Sequence, residues 1–256
     1  MYQFIAYIKF LFKATNQHGV HSPFVYNFVT KCLYDTTHFS AYQRMQGYRT
    51  DLLKSKTRLE VFDLGEGSKS LSKHKRKVSN MARTSSSSQK TTRVLHRAIR
   101  YFNAKTILEL GTSLGMATYA MALANRTAKM ITIEGCPNTS NVASSKFNNL
   151  DISNTEFKKG EFSALIPTLK DAHYDFIFFD GHHNKDATIN YFETLLPKAH
   201  NETVFVFDDI YWSQGMTEAW QYIKAHPAVT VTVDCFYLGF VFFRKEQAKE
   251  HFRIRM

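Results

Sequence analysis

With 256 residues, 44% of them hydrophobic, the chain is long enough for one α/β domain with its own core and an appended segment. Its three cysteines are odd in number, lie far apart and form no CxxC pair, which argues against a disulfide scaffold and a cysteine zinc site and predicts a reducing, cytoplasmic location. The net charge of +11 is concentrated in residues 66–100, where ten Lys or Arg accompany one acid. Such a segment could meet nucleic acid, anionic lipid or an acidic substrate, or be a solvated flexible loop.

The first twelve residues, MYQFIAYIKFLF, are apolar but too short to span a bilayer. They lack the basic start and the small-residue cleavage site of a signal peptide. One helical face carries most of the large apolar side chains: Phe4, Ile5, Ile8, Leu11 and Phe12. We expect this face to pack on the protein rather than to lie on a membrane surface.

Residues 1–58 read as mostly helical, and from residue 91 helix-length stretches alternate with strand-like runs. Strands are predicted at 106–110, 130–134, 156–159, 174–180, 203–208, 229–233 and 239–244. Helices are predicted at 91–102, 115–126, 138–149, 162–170, 185–197 and 213–225. Apolar runs that do not alternate indicate strands buried on both faces, in a mostly parallel sheet between helices. The last two strands are joined by a short loop and should pair antiparallel.

This pattern predicts an α/β fold with a Rossmann-like, doubly wound, seven-stranded sheet, mostly parallel with an antiparallel last strand. We expect two parts, an N-terminal helical extension over 1–93 and the main domain over 94–256. Residues 66–90 of the extension are basic, Ser-rich and expected to be partly flexible.

Residues 106–122, TILELGTSLGMATYAMA, pass from a strand to a helix across two glycines. A dinucleotide fingerprint counted from Gly111 fails because methionine occupies its third glycine position, and a P-loop would need a lysine that this turn lacks. The spacing of Gly111, Ser113 and Gly115 instead lets the backbone approach a ligand without a pyrophosphate cradle. An acid, Glu109, stands just before the turn.

These residues resemble the first motif of the class I S-adenosylmethionine-dependent methyltransferases, (Glu/Asp)-x-Gly-x-Gly-x-Gly, with Ser113 in place of the middle glycine. The resemblance implies that this loop holds the methionine end of the cofactor. It also implies that Glu134, which ends the second strand in MITIEG, binds the ribose hydroxyls through charge-assisted hydrogen bonds. Glu161 and Phe162 match the motif after the third strand that contacts adenine. The cofactor-binding residues implied in this way are Glu109, Gly111, Thr112, Ser113, Gly115, Glu134, Glu161, Phe162 and Asp180.

Two further strand ends carry acids, in FIFFDGHHNKD and in VFVFDDIYW. They resemble the catechol O-methyltransferase-like branch, in which an Asp after strand four and an Asp-Asn pair after strand five hold a divalent metal. The ligands implied here are Asp180, Asp208 and Asp209, with Asp in place of Asn, and three carboxylates would suit Mg²⁺. Strand-end capping or loop-orienting roles for these acids remain an alternative.

That branch usually has a lysine three residues after the first Asp. Here His183 stands at that position and Lys185 follows two residues later. A histidine with a pKa near neutrality is a plausible base, so the catalytic residues implied are His183, Asp180 and Lys185.

The implied function is methyl transfer from S-adenosylmethionine to a hydroxyl oxygen of a small-molecule acceptor, with Mg²⁺ as an optional second cofactor. Two alternatives stay open: an RNA or protein methyltransferase that grips its substrate with the basic segment, and a non-catalytic nucleoside-binding protein. Nucleic acid is not favoured, because no Asn-Pro-Pro-Tyr-like motif of base methylation is present. No transmembrane segment is expected. The apolar stretch CFYLGFVFF, expected near a sheet edge, could support a homodimer.

Overall fold

The computed structural model describes residues 1–62, 73–84 and 87–256. The α-helices are α1 (Tyr2–Lys13), α2 (Pro23–Phe28), α3 (Ala41–Lys54), α4 (Val78–Thr84), α5 (Gln89–Phe102), α6 (Met116–Ala124), α7 (Pro137–Asn149), α8 (Phe162–Leu165), α9 (Lys185–Leu195) and α10 (Gln214–Ala225). The strands are β1 (Arg58–Phe62), β2 (Lys73–Lys77), β3 (Thr106–Leu110), β4 (Lys129–Glu134), β5 (Thr155–Lys159), β6 (Phe176–Phe179), β7 (Val204–Asp208), β8 (Val231–Asp234), β9 (Leu238–Phe242) and β10 (Glu250–Arg253). A π-helical turn covers Val29–Leu33, and 3₁₀ turns cover Gln17–Gly19, Ile166–Thr168 and Leu196–Lys198.

The chain divides into two compact units, which we describe separately. The middle unit is Thr36–Leu169, and the terminal unit combines Met1–Asp35 with Lys170–Met256. The division expected from the sequence, 1–93 and 94–256, stays a prediction.

In the middle unit, β3 pairs with β4 and β4 with β5, all parallel. Helix α5 begins at the N-cap Ser88, whose hydroxyl accepts from the Thr91 N–H, and ends at Asn103, which adopts the left-handed conformation that asparagine tolerates. One face of α5 is buried at Val94, Leu95, Ala98 and Ile99. These caps and the apolar period therefore explain why α5 forms where the sequence predicted it.

The basic segment of the middle unit includes β2, which pairs antiparallel with β1, and continues into α4. Lys75, Arg76 and Lys77 on β2 are exposed. Residues 66–72 and 85–86 of the segment predicted to be flexible lie outside the described residues.

In the terminal unit the strand order is β6-β7-β9-β8-β10. β6 and β7 pair parallel, β9 is antiparallel to both of its neighbours, and β10 pairs parallel with β8. The strands β6, β8 and β9 are buried throughout their length, as expected for strands covered on both faces.

The predicted α/β class, with a mostly parallel Rossmann-like sheet, is confirmed, but among the described residues that sheet has eight strands rather than seven. The additional strand, β10, is a short EHFR segment that carries three charged or polar residues and gave no apolar signal. The antiparallel strand β9 is not the last one, because β10 follows it. The expectation that CFYLGFVFF lies near a sheet edge is wrong, since β9 is hydrogen-bonded on both sides.

Helix α1 forms as predicted, but the face predicted to pack on the protein is exposed. The fractional exposures are 69% for Phe4, 46% for Ile5, 38% for Ile8, 38% for Leu11 and 87% for Phe12. The helix instead buries Phe10, which clusters with Ala14 and Phe236. Among the described residues, no helix is both long and apolar enough to cross a membrane.

Candidate functional site

The turn after β3 takes an unusual backbone path at three positions. Gly111, Ser113 and Gly115 have φ values of 106°, 47° and 78°. At Gly115 glycine is also required by packing, since an added Cβ would lie 2.8 Å from Tyr48 Oη and 3.0 Å from Ala143 Cβ. The glycine spacing seen in the sequence therefore reflects both conformation and close approach.

Tyr48, on α3, supports this turn and was not identified from the sequence. Its buried hydroxyl donates to the Leu114 carbonyl at 2.7 Å, and its ring stacks on Tyr119 with centroids 4.7 Å apart. Burial is the largest cause that raises the pKa of Tyr48, so the phenol stays a donor. A single tyrosine in an amphipathic helix carries no sequence signal that would mark it as a partner of a loop 66 residues away.

Glu134 connects the turn to the end of β4. Its Oε2 accepts from the Ser113 N–H at 2.7 Å, and its Oε1 accepts from the Cys136 N–H at 2.9 Å. Burial raises the pKa of Glu134, while these backbone N–H groups lower it. A carboxylate has about four acceptor positions, and the Gly135 N–H is a third backbone group that lowers this pKa, so at least one position remains for a ligand hydroxyl.

Glu109 and Thr112 lie beneath the turn rather than at its surface. Glu109 is fully buried, and its Oε2 accepts from the hydroxyls of Thr118 and Thr132, each at 2.6 Å. The Thr112 hydroxyl lies 2.5 Å from that of Thr132. No described residue is hydrogen-bonded to Glu109 Oε1. The predicted contact of Glu109 with the cofactor stays a prediction, and the described geometry gives this residue a role in holding β3, β4 and α6 together.

Replacing Glu109 with glutamine should change how stability depends on pH. Burial raises the pKa of Glu109 from its ordinary 4.5 to about 7, so the folded protein holds this proton more tightly than the unfolded chain does. The stability linked to that proton is fully present below pH 4.5 and is lost as the pH rises through about 7. Over that window we expect the free energy of unfolding of the wild type to fall by about 3 kcal/mol more than that of Glu109→Gln. Denaturant titrations at several pH values measure this difference, and parallel curves for the two proteins would contradict it.

The predicted adenine-contact residues follow β5. Gly160 has a φ of 146° and donates its N–H to the Glu134 carbonyl at 3.0 Å, so this turn lies beside the end of β4. Glu161 is exposed, whereas Phe162 is 4% exposed and begins α8. Their roles toward adenine stay predictions.

In the terminal unit, an acid and two histidines follow β6. His182 and His183 have φ values of 65° and 32°, an uncommon conformation for residues other than glycine and asparagine. His183 Nε2 lies 3.7 Å from Asp180 Oδ1. Burial lowers the pKa of His183, Asp209 opposes this effect, and His182 adds to it. Burial therefore favours the neutral imidazole of His183, which lies near the carboxyl group of Asp180.

His182 Nδ1 is hydrogen-bonded to Tyr191 Oη at 2.8 Å, a contact that the sequence did not indicate. Trp212 is 54% exposed, and its ring centroid lies 6.1 Å from that of His183. Tyr211 stacks on Phe236.

The acids that end β7 have raised pKa values. For Asp208 the causes are burial first, then the charges of Asp180 and Asp209 and a hydrogen bond with Asp180. Two carboxyl groups that share a hydrogen bond must share a proton. Asp209 has a φ of 51°, and burial raises its pKa while His183 lowers it.

Within residues 1–62, 73–84 and 87–256, no three His, Cys, Asp or Glu side chains are arranged so that they could hold a metal ion. Asp180, Asp208 and Asp209, as placed, do not fit a three-ligand Mg²⁺ site, and we derive no step through a metal. Their assignment as ligands stays a prediction.

Lys185 opens α9 after the N-cap Asn184. Its Nζ donates to Glu218 Oε2 at 2.7 Å in an exposed ion pair. The catalytic role predicted for Lys185 is thus not supported by a described contact with His183 or Asp180.

Comparison with known proteins identifies one family model and several solved structures that are similar to this chain. Residues 108–210 match a family model described as a methyltransferase domain. The chain is similar in structure to the SAH-bound methyltransferase PaMTH1 of Podospora anserina (15% identity, TM-score 0.63, 88% of this chain and 98% of that chain). It is also similar to the O-methyltransferase TomG of Streptomyces achromogenes in complex with SAM (18%, 0.58, 81% and 91%) and to an O-methyltransferase of Bacillus cereus in complex with SAH (17%, 0.58, 81% and 92%). No curated protein matches the chain. At these identities the structural likeness establishes the fold.

Proposed function

We propose that this chain, whose residues 108–210 form a methyltransferase domain, transfers a methyl group from S-adenosylmethionine to a hydroxyl oxygen of a small molecule. The observation that carries the proposal is the turn after β3 and its hydrogen bond to Glu134, a half-buried carboxylate with acceptor capacity remaining. Structural neighbours that were solved with SAM or SAH, two of them described as O-methyltransferases, support it.

The turn after β3 and the end of β4 supply most of the cofactor-binding groups in this proposal. The backbone of Gly111, Thr112, Ser113 and Gly115 would receive the methionine end, and Glu134 would accept hydrogen bonds from the ribose hydroxyls. Glu134 is already positioned by two backbone N–H groups, so little rotamer freedom remains to be lost on binding. Further residues proposed for the cofactor are Glu109, Glu161, Phe162 and Asp180.

The loop after β6 supplies the base in this proposal. Bound S-adenosylmethionine would supply an electrophilic methyl group on a sulfonium. His183, which burial keeps neutral, would accept the proton of the acceptor hydroxyl as the oxygen–carbon bond forms and the carbon–sulfur bond breaks. The electron pair of that bond remains on sulfur. Asp180, 3.7 Å away, would stabilise the imidazolium that results.

Calorimetric titration of the purified protein with S-adenosylmethionine and with S-adenosylhomocysteine tests the proposal. We expect saturable binding of both compounds at one site. Absence of binding at millimolar cofactor would overturn the proposal, and binding without methyl transfer to any of a panel of phenols, catechols and alcohols would leave a nucleoside-binding protein instead.

Removal of metal should leave methyl transfer intact. The base proposed here is a side chain, and the described carboxyls do not form a three-ligand site, so activity after dialysis against EDTA is expected to match that of the untreated protein. The measurement is transfer of a radiolabelled methyl group with and without added Mg²⁺. Loss of activity in EDTA with recovery on adding Mg²⁺ would instead assign Asp180, Asp208 and Asp209 to a metal.

A further inference from the structure

Helix α1 presents an apolar surface away from the unit it belongs to. Phe10 and Ala14 pack against Phe236, and successive side chains of an α-helix are rotated by about 100°. The opposite side of α1 therefore carries Phe4, Ile8, Leu11 and Phe12, each at least 38% exposed, along a helix about 18 Å long. We call these four residues the outer face. Scattered exposed apolar residues need no explanation, but a continuous aromatic and aliphatic helix face does.

A basic cavity borders the outer face. It has a volume of about 350 Å³, and its lining includes Lys9 and Lys13 of α1 and Arg253 of β10. The remaining lining residues are uncharged: Tyr2, Ile5, Ala6, Phe10, Tyr211, Thr217 and Gln221. Arg253 Nε lies 3.8 Å from the buried Asp234, whereas Lys9 and Lys13 are exposed. The first 34 residues of the chain contain no Asp or Glu, so positive charge dominates along α1.

We propose that α1 docks this protein onto the surface of an anionic lipid bilayer, with the outer face in the interfacial layer and the basic cavity at the lipid phosphates. A helix that lies in the interface buries one apolar face and places lysines at the headgroups. Lysines close to an anionic leaflet add electrostatic attraction that an uncharged bilayer does not provide. The helix lies on the membrane and does not span it, which agrees with its length of 12 residues.

Charge favours a bilayer over a second copy of the chain. Antiparallel or parallel pairing of two α1 helices through their outer faces would bring four lysines together, with no acid from either helix to compensate. The face of one 12-residue helix is also small compared with the roughly 800 Å² per partner of a stable interface. The inference uses residues outside the proposed cofactor and base sites and goes beyond the methyl-transfer function.

Flotation of the full chain with vesicles tests this inference. The probes are phosphatidylcholine vesicles with and without phosphatidylglycerol. We expect the wild type to float with the anionic vesicles, and binding to fall as salt is raised. Lys9→Gln/Lys13→Gln should lower affinity for anionic vesicles by about 25-fold, since each lysine contributes roughly five-fold near such a surface. Phe4→Ser/Phe12→Ser should lower it by roughly ten-fold or more.

Two matched variants control for the loss of any exposed aromatic or any lysine. Tyr26→Ser and Lys31→Gln change exposed residues of the same unit outside α1 and should float like the wild type. Thermal unfolding of every variant verifies folding. The proposal is overturned if the wild type does not float, if it floats equally with neutral vesicles, or if light scattering shows a dimer that Phe4→Ser/Phe12→Ser dissociates without affecting flotation.

Discussion

Replacing His183 with asparagine is expected to lower kcat by roughly 10²–10⁴-fold, the range that a positioned general base contributes. Asparagine suits this position because His183 has a positive φ, which asparagine adopts more readily than most residues. The amide cannot take the hydroxyl proton, so the loss should appear in the chemical step. Binding of S-adenosylmethionine should be unchanged, because none of the residues proposed to bind the cofactor is replaced.

The readout is transfer of a radiolabelled methyl group from S-adenosylmethionine to a hydroxylated aromatic such as catechol, with cofactor affinity measured by calorimetry. His182→Asn is the matched control, since His182 precedes His183 in the same loop and also has a positive φ. Its imidazole is bonded to Tyr191, so this variant should lose little activity. Equal losses in both variants would mean that the loop was disturbed rather than that a base was removed.

Glu134→Gln is expected to weaken binding of S-adenosylmethionine by roughly 10²-fold. Hydrogen bonds to a charged carboxylate contribute about 1.5–3 kcal/mol each, and the proposed ribose contact uses such bonds. The Glu134 carboxylate accepts hydrogen bonds from the Ser113 and Cys136 N–H groups. In the variant, the amide NH₂ faces one of these N–H groups, so a donor meets a donor. Loss of affinity alone would therefore not separate ribose recognition from support of the turn.

A thermodynamic cycle separates these two effects. The affinity of S-adenosylhomocysteine is compared with that of its 2′-deoxy analogue, in the wild type and in Glu134→Gln. If Glu134 binds the diol, removing the hydroxyl costs affinity in the wild type and much less in the variant. If Glu134 only supports the turn, the hydroxyl costs the same in both proteins. Glu156→Gln, an exposed acid on β5, is the control for a change of charge.

The turn after β3 was largely predictable because the residues that indicate it lie close together in the sequence. Positive φ at Gly111 and Gly115 requires glycine, and the sequence directly shows an acid at or near the end of each of the strands β3 and β4. What the sequence could not show is the direction of each side chain. Glu109 lies one residue before the end of β3 and Glu134 ends β4, yet Glu109 accepts from two threonine hydroxyls while Glu134 accepts from the backbone of the turn.

Long-range support of the site was missed for the same reason. Tyr48 contacts the turn from a helix far away in the chain, and Lys185, which the sequence favoured as catalytic, is paired with Glu218 of α10. Neither contact can be predicted from the spacing of residues in the sequence, because each depends on how distant segments pack together. The short strand β10 escaped prediction because its partner β8, rather than its own composition, makes it a strand.

The sequence by itself determined the α/β class, the sites of most helices and strands, and the glycine turn, since hydrophobic period and backbone sterics act over a few residues. Only the tertiary structure decided which side of α1 is buried. Because α1 is apolar on almost every side, its helical period does not identify which side is buried. The buried side is that of Phe10, whose partner Phe236 lies more than two hundred positions away. The number of strands and the partners of Glu109, Glu134 and His183 were decided in the same way, because contacts between distant segments exist only once the chain has folded.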